Sequence, residues 1–351
     1  MSLRLLICLA LCYTAVFATS EAVTPLADAE ADLLSRTRSR MSDHSDLLSI
    51  LRTDIDIPLT SDSFVKFTEL HNKYYATAEE VTRRMTHFME YASAINQQNA
   101  QYLAGNSTWF AGLNEDHDLS NTERIAQNTG YIHDATAEQV NTAPVSEESL
   151  AGVQLSSDWT GHLSGIQKQG CGDCWAFGSG AALEFKCGKN SVNEAEIRDC
   201  SGSAGPDGGC KGGDPVGATK WACSKGVESR RQYPVLNSSP KDHQCRASGG
   251  SCKCSHVATG SGASTLKSWV SKGVVSVTVA AGGQSFAIYR GGLFTGDCSG
   301  VVDHSVSIVG FDGKNYKVRN QWGTSWGAGG YMTIAAGQNK CKVEGAFSMP
   351  Q

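Results

Sequence analysis

Cys174 stands in Gln169-Gly170-Cys171-Gly172-Asp173-Cys174-Trp175-Ala176-Phe177, at what reads as a junction between a loop and a helix. The backbone N–H groups of a helix N-terminus favour an anion, so a thiolate placed there is stabilised. A free thiol, with a pKa of about 8.5, is mostly protonated at neutral pH. It becomes a strong nucleophile when a nearby imidazole takes its proton. His304 lies 130 residues downstream in Val302-Asp303-His304-Ser305-Val306, and Asn320 lies 146 residues downstream in Asn320-Gln321-Trp322-Gly323-Thr324. A thiol, an imidazole and an amide that orients the ring would together support acyl transfer. Taken singly, each residue has an ordinary structural reading, since most cysteines are buried or bridged and a lone Asn says little. Their order and spacing carry the chemistry.

These three motifs resemble the papain/cathepsin family of cysteine proteases. The resemblance implies a peptidase in which Cys174 attacks a peptide carbonyl, His304 moves the proton to the leaving amine, and Asn320 fixes the ring tautomer. It also implies an oxyanion site built from the backbone N–H of Cys174 and a glutamine side-chain amide. Gln169 is the candidate, with Gln167 as the alternative, because one residue is missing between Gly170 and Cys171 relative to the family's Gln-Gly-x-Cys-Gly-Ser-Cys. Asp173 and Gln321 each stand where the family has Ser. A carboxylate at 173 would raise the thiol pKa and also favour the imidazolium. Gly209-Cys210-Lys211-Gly212-Gly213 resembles the family's Gly-Cys-x-Gly-Gly, which implies a backbone rail for substrate at Gly212 and Gly213. Trp322 would shield the His304–Asn320 contact. Pro215, Val302 and Ala346 are the implied S2 residues; small Ala346 suggests an apolar P2 side chain, and nearby Glu344 leaves a basic one open. The segment 237–254 is short and lacks a His-His pair, which favours an endopeptidase over a cathepsin B-like exopeptidase.

Positioning these groups requires both helices and strands. From Cys174 to Cys187 an apolar face of Ala176, Phe177, Ala181, Ala182, Leu183 and Phe185 predicts a helix. A second helix is expected over Pro215–Lys225, between a starting Pro and the stop at Gly226. Strands are expected over 274–279, 304–311, 316–320 and 330–334, separated by Gly-rich turns. The resemblance implies an α+β, papain-like fold with a helical subdomain bearing Cys174 and an antiparallel sheet or barrel bearing His304 and Asn320. The active site would lie in the cleft between them, behind a helical propeptide.

The amino-terminal part has its own signals. Arg4 precedes an apolar run from Leu5 to Ala18, so residues 1–20 read as a secretory signal peptide. Residues 21–150, with 21 Asp+Glu against 9 Lys+Arg, read as an acidic inhibitory propeptide with its core at about 60–120. Residues 151–351, with 14 Asp+Glu against 20 Lys+Arg, read as the basic mature peptidase domain. Opposite charges suggest that the halves attract. Glu80, Arg84, Phe88, Ile95 and Asn99 share one helical stripe and resemble the interrupted Glu-Arg-Phe-Asn-Ile-Asn motif of cathepsin L-type propeptides, with Tyr91 at the first Asn. Gly112-Leu113-Asn114-Glu115-Asp116-His117-Asp118 resembles the family's Gly-x-Asn-x-Phe-x-Asp, with Asp116 at the Phe. The polar stretch 125–150 is expected to run extended through the cleft and into a cleavage linker. Residues 21–60 match no motif.

The chain has 13 Cys. Setting aside Cys8, Cys12 and Cys174 leaves ten, an even number suited to disulfides in an oxidising compartment. The resemblance implies Cys171–Cys210, Cys200–Cys245 and Cys298–Cys341; pairing among Cys187, Cys223, Cys252 and Cys254 stays open. Cys252-Lys253-Cys254 lacks a second pair at zinc spacing, so neither metal nor cofactor is expected. No basic run is interleaved with aromatics, which argues against nucleic-acid binding. Beyond the leader no membrane span is expected. The expected partners are protein and peptide substrates, the chain's own propeptide as intramolecular inhibitor, and cystatin-like inhibitors, with a monomeric mature form. Sequons at Asn106 and Asn237 fit a secretory route to lysosome, vacuole or exterior. The competing reading is a catalytically impaired homologue that binds proteins through the same cleft. A secreted Cys-rich interaction protein would leave the propeptide motif unexplained.

Overall fold

The computed structural model describes residues 56–133, 156–202, 208–235, 241–298 and 300–351. The expected signal peptide, most of residues 21–60, the 134–150 linker and the Asn237 sequon lie outside the described residues. The chain divides into two compact units, Met1–Ser107 and Thr108–Gln351.

The first unit contains α1 (Ser61–Leu70) and α2 (Ala78–Leu103). Each begins at a threonine, Thr60 or Thr77, whose hydroxyl accepts a backbone N–H of the first turn. The rings of Phe64 and Phe67 on α1 meet Phe88 of α2 at 5.6 and 5.1 Å between centroids. On α2, Glu80 pairs with Arg84 at 3.6 Å, and Phe88, Ile95 and Asn99 are buried along the same helix together with Tyr91.

The second unit opens with β1 (Trp109–Ala111) and α3 (Asn121–Asn128). It continues with β2 (Ser157–Asp158), α4 (Cys174–Cys187), α5 (Glu194–Cys200) and α6 (Pro215–Lys225). Then follow β3 (Val257–Gly260), α7 (Ala263–Val270), β4 (Val275–Val279), α8 (Gln284–Ile288) and β5 (Tyr289–Phe294). The chain ends with β6 (His304–Phe311), β7 (Asn315–Arg319), β8 (Tyr331–Ala335) and β9 (Phe347–Pro350). The strands order as β1-β5-β8-β7-β6-β4-β9-β3, with β2 on β6. All pairings are antiparallel except β5 with β8.

The stretch from 125 is not extended from its start. Ser120 and Glu123 form a reciprocal capping box that starts α3, so residues 125–128 are helical and the chain straightens only from Thr129. Asn320 falls just beyond β7, and its N–H donates to Gly330 O (3.0 Å). No helix among the described residues is long and apolar enough to cross a membrane.

α4 is the spine of this unit. Every residue from Cys174 to Glu184 is buried. One side packs in a cluster with Val192, Ile197, Ala218 and Ala222, and Ala181 and Ala182 join Leu163, Val274 and Val309. Gly178 sets the approach to β6: a Cβ there would lie 2.1 Å from Ser305 Oγ. Ser307 Oγ also donates to Gly178 O (3.2 Å). Disulfides join Cys171–Cys210, Cys200–Cys245 and Cys298–Cys341, and the open pairings resolve as Cys187–Cys252 and Cys223–Cys254.

Gly178→Ala forces α4 off β6. The expected cost is about 1–3 kcal/mol of stability, as for other overpacked cores. Thermal unfolding of the purified precursor checks it, and an unchanged midpoint would refute the close-packing argument.

Candidate active site

Cys174 is the first residue of α4 and is the one free cysteine among the described residues. Its thiol is fully buried and faces the backbone N–H groups of Trp175 and Ser305. Ser305 follows His304, the first residue of β6, so the imidazole-bearing strand adjoins the thiol. His304 Nε2 donates to Asn320 Oδ1 at 2.9 Å. The same oxygen accepts from Gln321 N, also at 2.9 Å. An amide oxygen can only accept, so the imidazole proton sits on Nε2 and the Nδ1 lone pair is left open. Nδ1 is buried and has no hydrogen-bond partner among the described residues. Trp322 lies over the ring at 4.9 Å between centroids, and Phe286 meets it edge-on at 6.4 Å.

The two glutamines separate cleanly. Gln169 is buried beside the nucleophile loop, and its Nε2 donates to Cys171 O (2.7 Å) and Gln127 O (3.0 Å). Gln167 turns away and donates to Glu194 Oε1 (3.1 Å). The segment after α3 covers the remaining groups. Trp322 Nε1 donates to Asn128 O (2.9 Å), and the N–H groups of Gly130 and Tyr131 both donate to Asp303 O (2.9 Å each). Gly213 N donates to Gly130 O (2.8 Å) and Gly213 O accepts from Ile132 N (2.9 Å), so Tyr131 bridges Gly213 in parallel. Gly130 must be a glycine for this, because a Cβ would lie 2.1 Å from Gly172 O. Gly212 has φ of +118°, a conformation open to glycine, and its neighbour Gly213 carries the pairing.

Pro215 and Ala346 line one pocket of about 260 Å³ with Ser276, Thr278 and Ser348. Val302, expected there, is not part of its lining and stays in the loop before β6. Glu344 is also absent from it. Its carboxylate accepts from Gly337 N (2.6 Å), Asn339 N (2.7 Å) and Tyr316 Oη (3.1 Å), so it braces the turn ahead of β9. The hydroxyl-lined wall makes the pocket more polar than Ala346 alone suggests.

Three charged groups make contacts that the sequence reading did not foresee. Arg124 on α3 is buried and donates from Nη2 to Gly282 O and Asn121 Oδ1 (2.6 Å each). Asp116, at the expected Phe position, is buried and accepts from Lys168 Nζ (2.7 Å), Asn128 Nδ2 (2.8 Å) and Gln127 Nε2 (3.3 Å). Asp303 accepts from Ala281 N (2.8 Å). Burial raises the Cys174 thiol pKa well above its ordinary value, and the Asp173 and Asp303 carboxylates add to that. Burial lowers the His304 pKa to about 4, with the Arg124 cation pushing the same way against the Asn320 hydrogen bond. Burial thus disfavours both the thiolate and the imidazolium.

Comparison with known proteins places both units. Residues 153–351 match the papain family cysteine protease model, and residues 64–123 match the cathepsin propeptide inhibitor domain (I29). Caricain from Carica papaya is 34% identical over 274 residues, covering 73% of this chain and 76% of its own. Cathepsin L from Sarcophaga peregrina is 29% identical over 330 residues, covering 87% of this chain and 96% of its own. The solved structure of digestive procathepsin L2 proteinase from Tenebrio molitor larval midgut superposes with a TM-score of 0.74 at 27% identity, covering 83% of this chain and 99% of that one.

A thiol whose pKa is raised stays protonated through the range in which an ordinary thiol ionises. Iodoacetamide should therefore alkylate Cys174 slowly in the intact chain across about pH 5–8, and at least about tenfold faster once the amino-terminal segment is removed. Equal rates before and after removal would contradict the neutral, covered site.

Proposed function

We propose how a chain that belongs to the papain family of cysteine proteases, and carries a cathepsin propeptide inhibitor domain, cuts peptide bonds. It is a cysteine endopeptidase in zymogen form, and Cys174, His304 and Asn320 do its chemistry. The observation that carries this reading is the Nε2–Oδ1 hydrogen bond of 2.9 Å, which leaves His304 Nδ1 as a base on the strand that adjoins the free thiol. Once the covering segment leaves and water enters, the proton moves from Cys174 Sγ to His304 Nδ1. The thiolate attacks the peptide carbonyl carbon, and the oxyanion is held by the backbone N–H of Cys174 and by Gln169 Nε2. The imidazolium protonates the leaving amine, the C–N bond breaks, and an acyl-enzyme remains. His304 then takes a proton from water, whose oxygen attacks the thioester; the carboxylic product departs and the thiol is restored.

The substrate lies along Gly212 and Gly213, and its P2 side chain enters the pocket of Pro215 and Ala346. Trp322 shields the imidazole–amide contact from water. In the zymogen, Gln127 O occupies the Gln169 amide and residues 130–132 occupy Gly213, so the inhibitor segment takes the groups that substrate needs. The Asp116–Lys168 pair at 2.7 Å fastens that segment. Ten bridged cysteines support a secretory route toward lysosome, vacuole or exterior, and exposed Asn106 is open to glycosylation there. Cystatin-like proteins would compete for the same cleft. No comparison favours an inert protein-binding homologue.

Acid-processed protein should hydrolyse a peptide substrate, lose that activity to a thiol-directed epoxysuccinyl inhibitor, and lose it in Cys174→Ala. Activity that survives both would overturn the assignment. Asn320→Ala should lower kcat by about tenfold or more through loss of ring orientation, with little change in KM. For the zymogen, Asp116→Asn should process faster than wild type at neutral pH, because it weakens the contact with Lys168; equal maturation rates of the two precursors would exclude the latch.

A further inference from the structure

Arg124 of α3 is a buried cation of the inhibitor segment, and it is held by groups that do not belong to that segment. Its Nη2 donates to Gly282 O at 2.6 Å, in the 280–283 loop that follows β4. Asn121 Oδ1, one turn back on α3, steers the same nitrogen. A guanidinium is costly to bury unless acceptors and an opposite charge meet it. The opposite charge is Asp303. A Cβ on Gly282 would lie 2.5 Å from Asp303 Oδ2, so the carboxylate rests against the same glycine whose carbonyl Arg124 binds. Ala281 N holds the other carboxylate oxygen, Oδ1, at 2.8 Å. Burial raises the Asp303 carboxyl pKa, and the Ala281 N–H and the Arg124 cation oppose the rise. Carbonyl and carboxylate thus form one small acceptor site, built from the 280–283 loop and the residue before β6.

The place of this site along the cleft follows from the backbone contacts of the same segment. Residues 130 and 132 pair with Gly213, on the side where the P2 side chain enters the pocket of Pro215 and Ala346. Gln127 O and Asn128 O then meet Gln169 and Trp322, beside the catalytic groups. Arg124 lies about one helical turn further back, past those groups, on the side where the amine of a cut substrate departs. When α3 leaves, Asn121 leaves with it, whereas Gly282 O and the Asp303 carboxylate stay in the enzyme.

We propose that Gly282 O and the Asp303 carboxylate form a seat for a basic side chain on the leaving-amine side of the scissile bond, so that the enzyme favours substrates with Arg at P1′ or P2′. Arg124 holds that seat in the precursor. This rests on the endopeptidase reading and on substrate lying along Gly212 and Gly213.

The test takes the acid-processed enzyme and internally quenched peptides that share their residues up to the scissile bond. P1′ and P2′ are each varied through Arg, citrulline and norleucine; citrulline keeps the shape of Arg without its charge. Mass spectrometry checks that the cut stays at the same bond. At about pH 6.5, above the ordinary carboxyl range, kcat/KM should be about threefold or more higher for Arg than for citrulline at one of the two positions. Asp303→Asn should bring that ratio to about one. The ratio is what is read, so a general loss of activity beside His304 cancels. If Asp303→Asn yields no active enzyme, salt decides with the wild type. The preference should then shrink between about 0.05 and 0.5 M NaCl, because an ion pair open to water is screened. Arg and citrulline cut alike at both positions, or a preference that neither Asp303→Asn nor salt reduces, overturns the seat. These outcomes are read in enzyme that the epoxysuccinyl inhibitor still silences. Hydrolysis that resists the inhibitor sinks the nucleophile assignment instead.

Discussion

The contact on which the site depends is the close packing of α4 against β6. Its helix carries the thiol at its first residue, and its strand carries the imidazole at its first residue. Gly178 has no side chain to hold them apart, and Ser305 and Ser307 fill the space it leaves. Rigid regular elements rather than loops thus carry both the thiol and the imidazole, which fixes their relative placement. The third group, Asn320, comes from the same sheet one residue past β7, so its reach to His304 is set by the β6–β7 register.

The inhibitor segment reads as an occupant of a finished site. Its backbone supplies what Gly213, Trp322 and Gln169 seek: N–H for C=O, and C=O for N–H. Main-chain pairing of this kind needs little of the segment's own side chains, apart from Gly130, where any side chain would strike Gly172. Side chains supply the fastening, through Asp116 to Lys168 and through Arg124 to Gly282. Burial in turn disfavours both the thiolate and the imidazolium.

Local signals told much of this in advance. α4 and α6 were legible because an apolar face, a Pro start and a Gly stop all act within a few residues. The capping box of Ser120 and Glu123 is equally local, yet α3 lies in a polar stretch with no apolar stripe to announce it. What could not be read were pairings made by tertiary closure. Arg198 is 25 residues from Asp173 and Asp116 is 52 from Lys168. Nothing in their neighbourhoods marks them as partners. The same holds for Cys187–Cys252 and Cys223–Cys254, where sequence alone leaves several connectivities equivalent.

The burial of Cys174 has a consequence for the bridges around it. Among the described residues ten cysteines form five bridges while Cys174 remains reduced. Thiol–disulfide exchange proceeds through an accessible thiolate. A reactive thiol left open beside Cys171–Cys210, three residues away, would attack that bridge or be captured by an oxidant. In the folded chain the Cys174 thiol is fully buried and its ionisation is disfavoured, so it is withdrawn from such exchange. Its burial therefore bears on the survival of the neighbouring Cys171–Cys210 bridge.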